Sequence, residues 1–514
     1  KRMRAWLVLV FLNVCTAYQG SDRYCDQCVS VIPLLNQNAT MSEIESILDK
    51  YLCFLVPSEE REECREIIHE ILISIEYMDS DILDYYTPAQ FCSILSFCQT
   101  FCCSTPHDPQ EIHISLSGDP SEMNIMWITQ DQGPSPIVRY GFGLSSFNMS
   151  TTGTSRTYKW GGWNGFIYIV TLQDLQYNTR YYYQVGDATW DEYSFTTFSF
   201  VSSPGPLPVP CNERFKFITY GDLGSSNAAD PNMYWLIQAA HNHDADLVLH
   251  IGDISYADAY QPAWDVFMQK IEPVAAQIPY MTTAGNHEHY FNFAPYRTRF
   301  QMPVPENNIG HFSRENVTLY YSFNYGNCHI IALSAEMNFG NATDLMPGNP
   351  QYEWLVNDLE SVNREYFPWV IIFIHRPLYC TTNSPKRCST QASYYRSLIE
   401  EVLYEYRVDL VLTAHNHNYE RTLPVFNSTV VGTFNVTEFQ SPKAPIYAVV
   451  GTGGNHEGVA NNFLPDTETP QWSVSDSRFA EWGYVVMDCN STSLNWNFYS
   501  AQDNSTIDSF TILK

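Results

Sequence analysis

From position 222 onward, seven residues of metal-binding type stand at or just after the ends of short apolar runs. Asp222 lies in "GDLG", Asp253 and Tyr256 in "GDISY", Asn286 in "GNHE", His375 in "FIHRP", and His415 and His417 in "AHNH". Hard carboxylate and phenolate oxygens combined with neutral imidazoles suit two di- or trivalent ions a few ångströms apart, which activate water for attack on phosphorus. One carboxylate must bridge such a pair, and Asp253 in the central position is the natural choice. Taken singly, each residue has a plainer reading. A Gly-Asp pair ending a strand more often makes a turn or caps a helix. His375 fits a core histidine, and Asn286 fits a left-handed turn. Five such strand ends in one stretch of chain are hard to explain that way. The His-Asn-His triplet alone is not diagnostic. His241 to His243 repeats it at the end of the helix-like run "MYWLIQAAHNHDADL", where a helix C-terminus favours positive charge in any case.

The elements that must position these residues begin near Arg214. Apolar strands ("FKFITYGD", "DLVLHIGD", "YMTTAGN", "HIIALSA", "WVIIFIH", "VDLVLTAH", "IYAVVGTGG") alternate with helix-like runs and end in polar or glycine-rich turns. This is α/β texture over residues 211–514, with ligands expected at the carboxyl ends of the strands. Ahead of it, residues 109–205 carry short alternating strands such as "EIHISLSG", "MNIMWITQ" and "RYYYQVG". They read as an all-β sandwich of fibronectin III or immunoglobulin type with a spacer or docking role. The stretch "SSPGPLPVP" at 202–210 closes it as a stiff linker.

A third, all-α unit is expected over residues 20–104. Cys25, Cys28, Cys53, Cys64, Cys92 and Cys98 alternate with helical patterns, as in "MSEIESILDKYLCFL", where Met41, Ile44, Ile47, Leu48, Leu52 and Leu55 share one face. The arrangement resembles the saposin B-type domain. That resemblance implies the pairs Cys25–Cys98, Cys28–Cys92 and Cys53–Cys64, and a role with lipid or as a propiece.

Composition sets the outer bounds. The chain has 514 residues, 45% hydrophobic and 15% aromatic, enough to bury large cores. The opening "KRMRAWLVLVFLNVCTAYQG" reads as a signal peptide over residues 1–19, and no later apolar run reaches the roughly twenty residues of a membrane helix. Eight Asn-X-Ser/Thr sequons, at Asn38, Asn148, Asn316, Asn341, Asn427, Asn435, Asn490 and Asn504, fit a glycosylated secreted or lumenal product. Fourteen cysteines agree with an oxidising compartment. Removing Cys15 with the signal leaves an odd number. A net charge of −29 argues against nucleic acid and anionic membrane as partners. It also repels a phosphate-bearing substrate at long range, so an anion site must be locally positive, as a bound metal would make it.

From about residue 109 to the end, the metal-type motifs together with "LVLHIGDISYADAY", "PYMTTAGNHE", "QYEWLVNDLESVN" and "GTGGNHEG" resemble the purple acid phosphatases, a family of the metallophosphoesterase superfamily. The resemblance implies that Asp222, Asp253, Tyr256 and His417 hold Fe(III). Asp253, Asn286, His375 and His415 would hold a second ion, Fe, Zn or Mn. Metal-bound hydroxide would attack a phosphate monoester, and the Tyr256 phenolate would give the iron its colour. His287 would touch substrate phosphate and protonate the leaving oxygen, and Glu288 would orient a pocket histidine. Lys386 and Arg387 would help hold the phosphate, with Asn455, His456 and Glu457 rimming the pocket. In "RPLYCTTNSPKRC" the further histidines of plant members are absent, and the loop resembles the "HRP(L/M)YC" form, which implies a Cys380–Cys388 pair. Ala414 replaces the family's glycine before the histidine pair, which predicts an altered turn.

The resemblance further implies a secreted or lysosome/vacuole-like acidic location, leaving a lipid partner and a homodimer open. The alternative is a lipid phosphodiesterase of acid sphingomyelinase type, which also joins a saposin unit to a dimetal domain. Gly224 in the first motif and Tyr256 in the second favour the phosphatase. A non-catalytic glycoprotein would show a missing ligand, and none is missing.

Overall fold

The computed structural model describes residues 106–133, 135–144, 146–186, 196–205, 213–304, 319–337, 342–433 and 435–514, with scattered positions between 28 and 101. In the amino-terminal part these include the helix Met41–Leu48, with Ile44 and Leu48 buried along one face, and the bonded pairs Cys28–Cys92 and Cys53–Cys64. The signal stretch and the Cys25–Cys98 pair lie outside the described residues, as do Asn38, Asn316 and Asn341. Asn148, Asn427 and Asn435 are exposed, while Asn490 and Asn504 are half-buried. Among the described residues no helix is long and apolar enough to cross a membrane.

The β-rich unit consists of two four-stranded antiparallel sheets. Arg180–Val185 shows half-buried alternation, whereas Met123–Thr129 is buried at every position. The reason is that both faces of the latter are covered. Ile125 and Trp127 enter the large core, and Ile128 packs with Tyr158, Trp163 and Ile167. The unit is docked on the α/β unit through a buried cation. Arg299 reaches Glu111 at 2.8 Å and Asp265 at 2.5 Å and lies over the Trp163 ring.

The α/β unit is built on two seven-stranded mixed sheets. The period-two rule of strands explains their packing. Ile330, Ala332, Ile371, Phe373, Leu410 and Leu412 of the second sheet join the large core. Their neighbours Ile331, Leu333, Val370, Ile372, Ile374 and Val411 form a separate cluster with Leu355, Leu359, Ile399 and Leu403. Those last four come from the helices Pro350–Ser361 and Ala392–Glu405. Each fully buried aliphatic side chain contributes about 1.5–3 kcal/mol.

In the first sheet, Phe215–Tyr220, Leu247–Ile251 and Tyr280–Thr283 run parallel. In the second, Cys328–Leu333, Trp369–Ile374, Leu410–Thr413 and Ile446–Val450 do the same. The carboxyl ends of both parallel sets carry the loops of the candidate site. The antiparallel strands Gly483–Cys489, Ser493–Ser500 and Thr506–Leu513 follow beside Phe215–Tyr220, and the short edge strand Glu438–Gln440, parallel to the last of them, completes the first sheet. The earlier triplet, His241 to His243, is exposed where the helix Asp230–Asn242 ends in a left-handed residue.

Candidate metal centre

Four of the seven donor-type residues have left-handed backbone: Asp222 (φ 59°), Asp253 (φ 48°), Tyr256 (φ 54°) and His415 (φ 66°). Such conformations cost of order 1–3 kcal/mol each and persist only where the surroundings enforce them. Here the loops enforce one another. Asp222 N–H donates to Gly252 O at 3.1 Å, Gly224 N–H to Ile254 O at 2.9 Å, and Ala414 N–H to His375 O at 2.9 Å. Gly285 lets the third loop close on the second, since a Cβ there would lie 2.2 Å from Asp253 Oδ1. Ala414 stays out of the left-handed region, so its Cβ brings no backbone strain. Gly221 leaves it room, because a Cβ at 221 would sit 2.4 Å from the Ala414 Cβ.

The side chains converge in two groups. Tyr256 Oη lies 3.0 Å from Asp222 Oδ1 and 3.0 Å from His417 Nε2, and His417 Nε2 is 3.3 Å from Asp222 Oδ1. In the second group, His375 Nε2 is 3.0 Å from Asp253 Oδ2 and 3.3 Å from Asn286 Oδ1. His415 Nδ1 is 4.0 Å from the same Asp253 oxygen. Donors about 2.1 Å from a shared cation stand about 3.0–3.4 Å apart at right or tetrahedral angles and about 4.2 Å apart when opposed. All these spacings fit, and the donors are the hard oxygens and imidazoles that iron and zinc accept.

The three imidazoles are held with one nitrogen turned inward. His375 Nδ1 faces Ile251 O at 2.9 Å, and His417 Nδ1 faces Gly458 O at 3.1 Å, which leaves Nε2 inward in both rings. His415 is turned the other way. Arg376 Nη1 donates to its Nε2 at 2.9 Å, and Arg376 is itself gripped by Glu336 at 2.5 and 2.9 Å. Asn416, between the two histidines, donates to Thr382 Oγ1 at 3.2 Å and to Cys388 Sγ at 3.1 Å. Cys388 is bonded to Cys380.

Charge in the centre is strongly unbalanced toward the negative. Burial and the carboxylates of Asp222, Asp253 and Glu457 push the Tyr256 phenol well above its ordinary pKa. Burial alone would lower His375, yet Asp253 raises it to about 9. Burial alone would raise Asp253, yet His375 and His287 hold it well below the usual carboxylate range. A site with these preferences demands positive charge.

His287 lies alongside, with Nδ1 2.6 Å from Asp258 Oδ1 and Nε2 4.0 Å from Asp253 Oδ2. Glu457, on the rim, comes within 3.8 Å of His287 Nε2 and 3.9 Å of His417 Nε2. His456 is exposed, its ring 5.5 Å from that of Tyr256.

Two readings from the sequence are corrected. Glu288 orients no histidine and faces no substrate space. Both of its oxygens accept backbone N–H groups, from Ile254 at 2.9 Å and Gly285 at 2.8 Å, and burial pushes its carboxyl up to about 8. Asn455 is buried and donates to Asp222 O at 3.1 Å, which makes it a brace for the first loop and not a rim residue. The side chains of Lys386 and Arg387 lie outside the described residues. Asp258, Glu336, Arg376 and Asn416 went unrecognised in the sequence. The signal for three of them was their place inside the motifs, in "GDISYAD", "FIHRP" and "AHNH".

Comparison with known proteins adds lineage to this geometry. The model of the purple acid phosphatase N-terminal domain matches residues 109–197, that of calcineurin-like phosphoesterases 215–419, and that of the iron/zinc purple acid phosphatase-like protein C 444–509. Acid phosphatase type 7 of Danio rerio is 34% identical over 439 residues, which cover 79% of this chain and 91% of the relative. The chain belongs to the purple acid phosphatase family. Probable purple acid phosphatase 20 of Arabidopsis thaliana is 34% identical over 414 residues, covering 78% and 87%. The purple acid phosphatase PPD1 from yellow lupin seeds shares the fold at a TM-score of 0.69 and 24% identity, over 80% of this chain and 75% of its own.

The chain is therefore a hydrolase of the acid phosphatase type, acting on phosphate esters, and its cofactor is the family's pair, Fe(III) with a second divalent ion. The lipid phosphodiesterase alternative is not favoured. The architecture agrees with the α/β catalytic and β-rich units read from the sequence, and the three matched models all lie from residue 109 onward.

Proposed function

We propose that this acid phosphatase hydrolyses phosphate monoesters at a centre in which Asp222, Tyr256 and His417 hold Fe(III), and Asn286, His375 and His415 hold the divalent ion. Asp253 serves both. The observation that carries the reading is the convergence of these residues into two donor groups, with each imidazole's outward nitrogen bonded to a fixed partner. When bound, the ions supply Lewis-acid activation of water and neutralise charge developing at phosphorus.

The chain's own residues do the rest. Arg376 with Glu336, and the carbonyls of Ile251 and Gly458, keep the ligand rings oriented. His287 carries a proton on Nε2 toward the substrate space and delivers it to the leaving oxygen, while Asp258 holds the other ring nitrogen. Glu457 borders the approach to the phosphate. Exposed sequons at Asn148, Asn427 and Asn435, and three disulfides among the described residues, support a secreted or acidic lumenal location.

The test is hydrolysis of p-nitrophenyl phosphate beside bis-p-nitrophenyl phosphate and a sphingomyelin analogue, at acidic and neutral pH. The monoester is expected to turn over fastest, with its optimum on the acid side. Preferential cleavage of either diester overturns the monoesterase reading.

A further inference from the structure

Cys328 opens the strand Cys328–Leu333 of the second sheet, and Cys489 closes the strand Gly483–Cys489 of the first. Both are fully buried, and their Sγ atoms are 3.1 Å apart. Carbon atoms in contact rest about 3.5–4.0 Å apart, and sulfur is larger. Two unbonded thiols would therefore be crowded at this spacing. A disulfide of about 2.05 Å asks each sulfur to move by only about half an ångström.

We infer that Cys328 and Cys489 form a disulfide that ties the two sheets of the catalytic unit together at the end remote from the metal donors. Neighbouring contacts already hold the two strands in the position the bond requires. Cys328 lies opposite Tyr325 and Trp369 in its own sheet, and Cys489 lies opposite Phe215 and Leu494 in the other. Across the gap, the rings of Phe215 and Tyr325 meet edge-on at 5.8 Å. Trp369 Nε1 donates to Asn490 O at 2.5 Å. His375 follows the far end of the strand Trp369–Ile374, so its six residues separate the bond from the site by about 20 Å.

The bond forms by oxidation. The two thiols give up two protons and two electrons to a disulfide-bearing oxidoreductase, whose own disulfide is reduced to two thiols as the new S–S bond forms. Both cysteines are fully buried, so the finished fold gives an exchange partner little access to either sulfur. Oxidation therefore comes before the sheets dock completely, and the completed bond is shielded from reductants. Because it joins residues 161 apart in sequence, it restrains the unfolded chain strongly. Chemical logic also separates this bond from Cys380–Cys388, which braces the ligand turn through Asn416. The sheet bond governs persistence of the fold and leaves the site geometry alone.

The experiment uses the full chain purified from a secreting host. It is denatured in an alkylating agent without reductant, digested, and mapped by mass spectrometry. The expected product is a peptide pair joined through Cys328 and Cys489 that separates on reduction. Alkylation of both as free thiols, or either one joined to Cys102, Cys103 or Cys211, overturns the inference. Urea midpoints give a second readout. With the bond present, C328A and C328A/C489A fall by nearly the same amount. A double variant falling by the sum of the two single effects contradicts it.

Discussion

His287 Nδ1 and Asp258 Oδ1 stand 2.6 Å apart, and this contact turns the opposite ring nitrogen toward Asp253 and the ligand groups. The pair joins a loop that follows one strand to a loop that follows its neighbour, so the imidazole is aimed by the fold. H287A should lower kcat by the ~10²–10⁴-fold typical of a positioned proton donor. D258N should lower it less, with KM little changed. Steady-state kinetics at matched metal content checks this, and the defect in both variants should shrink for substrates with good leaving groups.

Asn416 links the turn bearing His415 and His417 to Thr382 and to the Cys380–Cys388 bridge. Loss of an outer support of this kind typically costs about 10–100-fold in metal affinity or activity. N416A should retain its fold but lose metal on dialysis against a chelator sooner than the natural chain, as read by elemental analysis. Equal retention would assign Asn416 to packing alone.

Glu420 is buried with both oxygens on Thr381, and burial raises its carboxyl to about 7. In the unfolded chain it ionises near the ordinary value of ~4.5. The unfolded state thus sheds its proton first as pH rises. The stability this group contributes is complete below about pH 4.5, and it is lost as pH climbs through about 7, by roughly 3 kcal/mol at most. E420Q should flatten the fall in melting temperature between pH 4.5 and 7. An unchanged slope would remove Glu420 as its cause.

Arg299 is buried between Glu111 and Asp265 at the junction of the β-rich and catalytic units. R299M leaves two buried carboxylates without their cation, and breaking such a pair costs roughly 3–5 kcal/mol. The melting temperature should drop sharply. The triple variant E111Q/R299M/D265N should recover part of that loss, because neutral groups are less costly to bury.

How much of this was legible in the chain depends on where each residue's partner lies. Apolar strands ending in Asp222, Asp253, Asn286, His375 and His415 announce themselves locally, since strand, turn and donor occupy one short segment. The braces do not. Arg376 matters because Glu336 and His415 flank it, and Asp258 because His287 comes to meet it, contacts between separate loops that no spacing encodes. Glu288 and Asn455 misled for the converse reason. They sit inside donor motifs, but burial directs them onto backbone N–H and C=O groups. The strands Gly483–Cys489, Ser493–Ser500 and Thr506–Leu513 have clear alternation, yet their insertion beside Phe215–Tyr220 is a long-range choice.

Tyr256, on its left-handed turn between Asp222 and His417, is expected to present its phenolate oxygen to Fe(III). This is tested most directly by the visible absorption spectrum of the purified protein beside Tyr256→Phe, with iron quantified in both. A broad visible band is expected in the natural chain and should disappear in the variant while iron is still bound. A colourless, active, iron-free natural enzyme, or a band that survives the substitution, would contradict it.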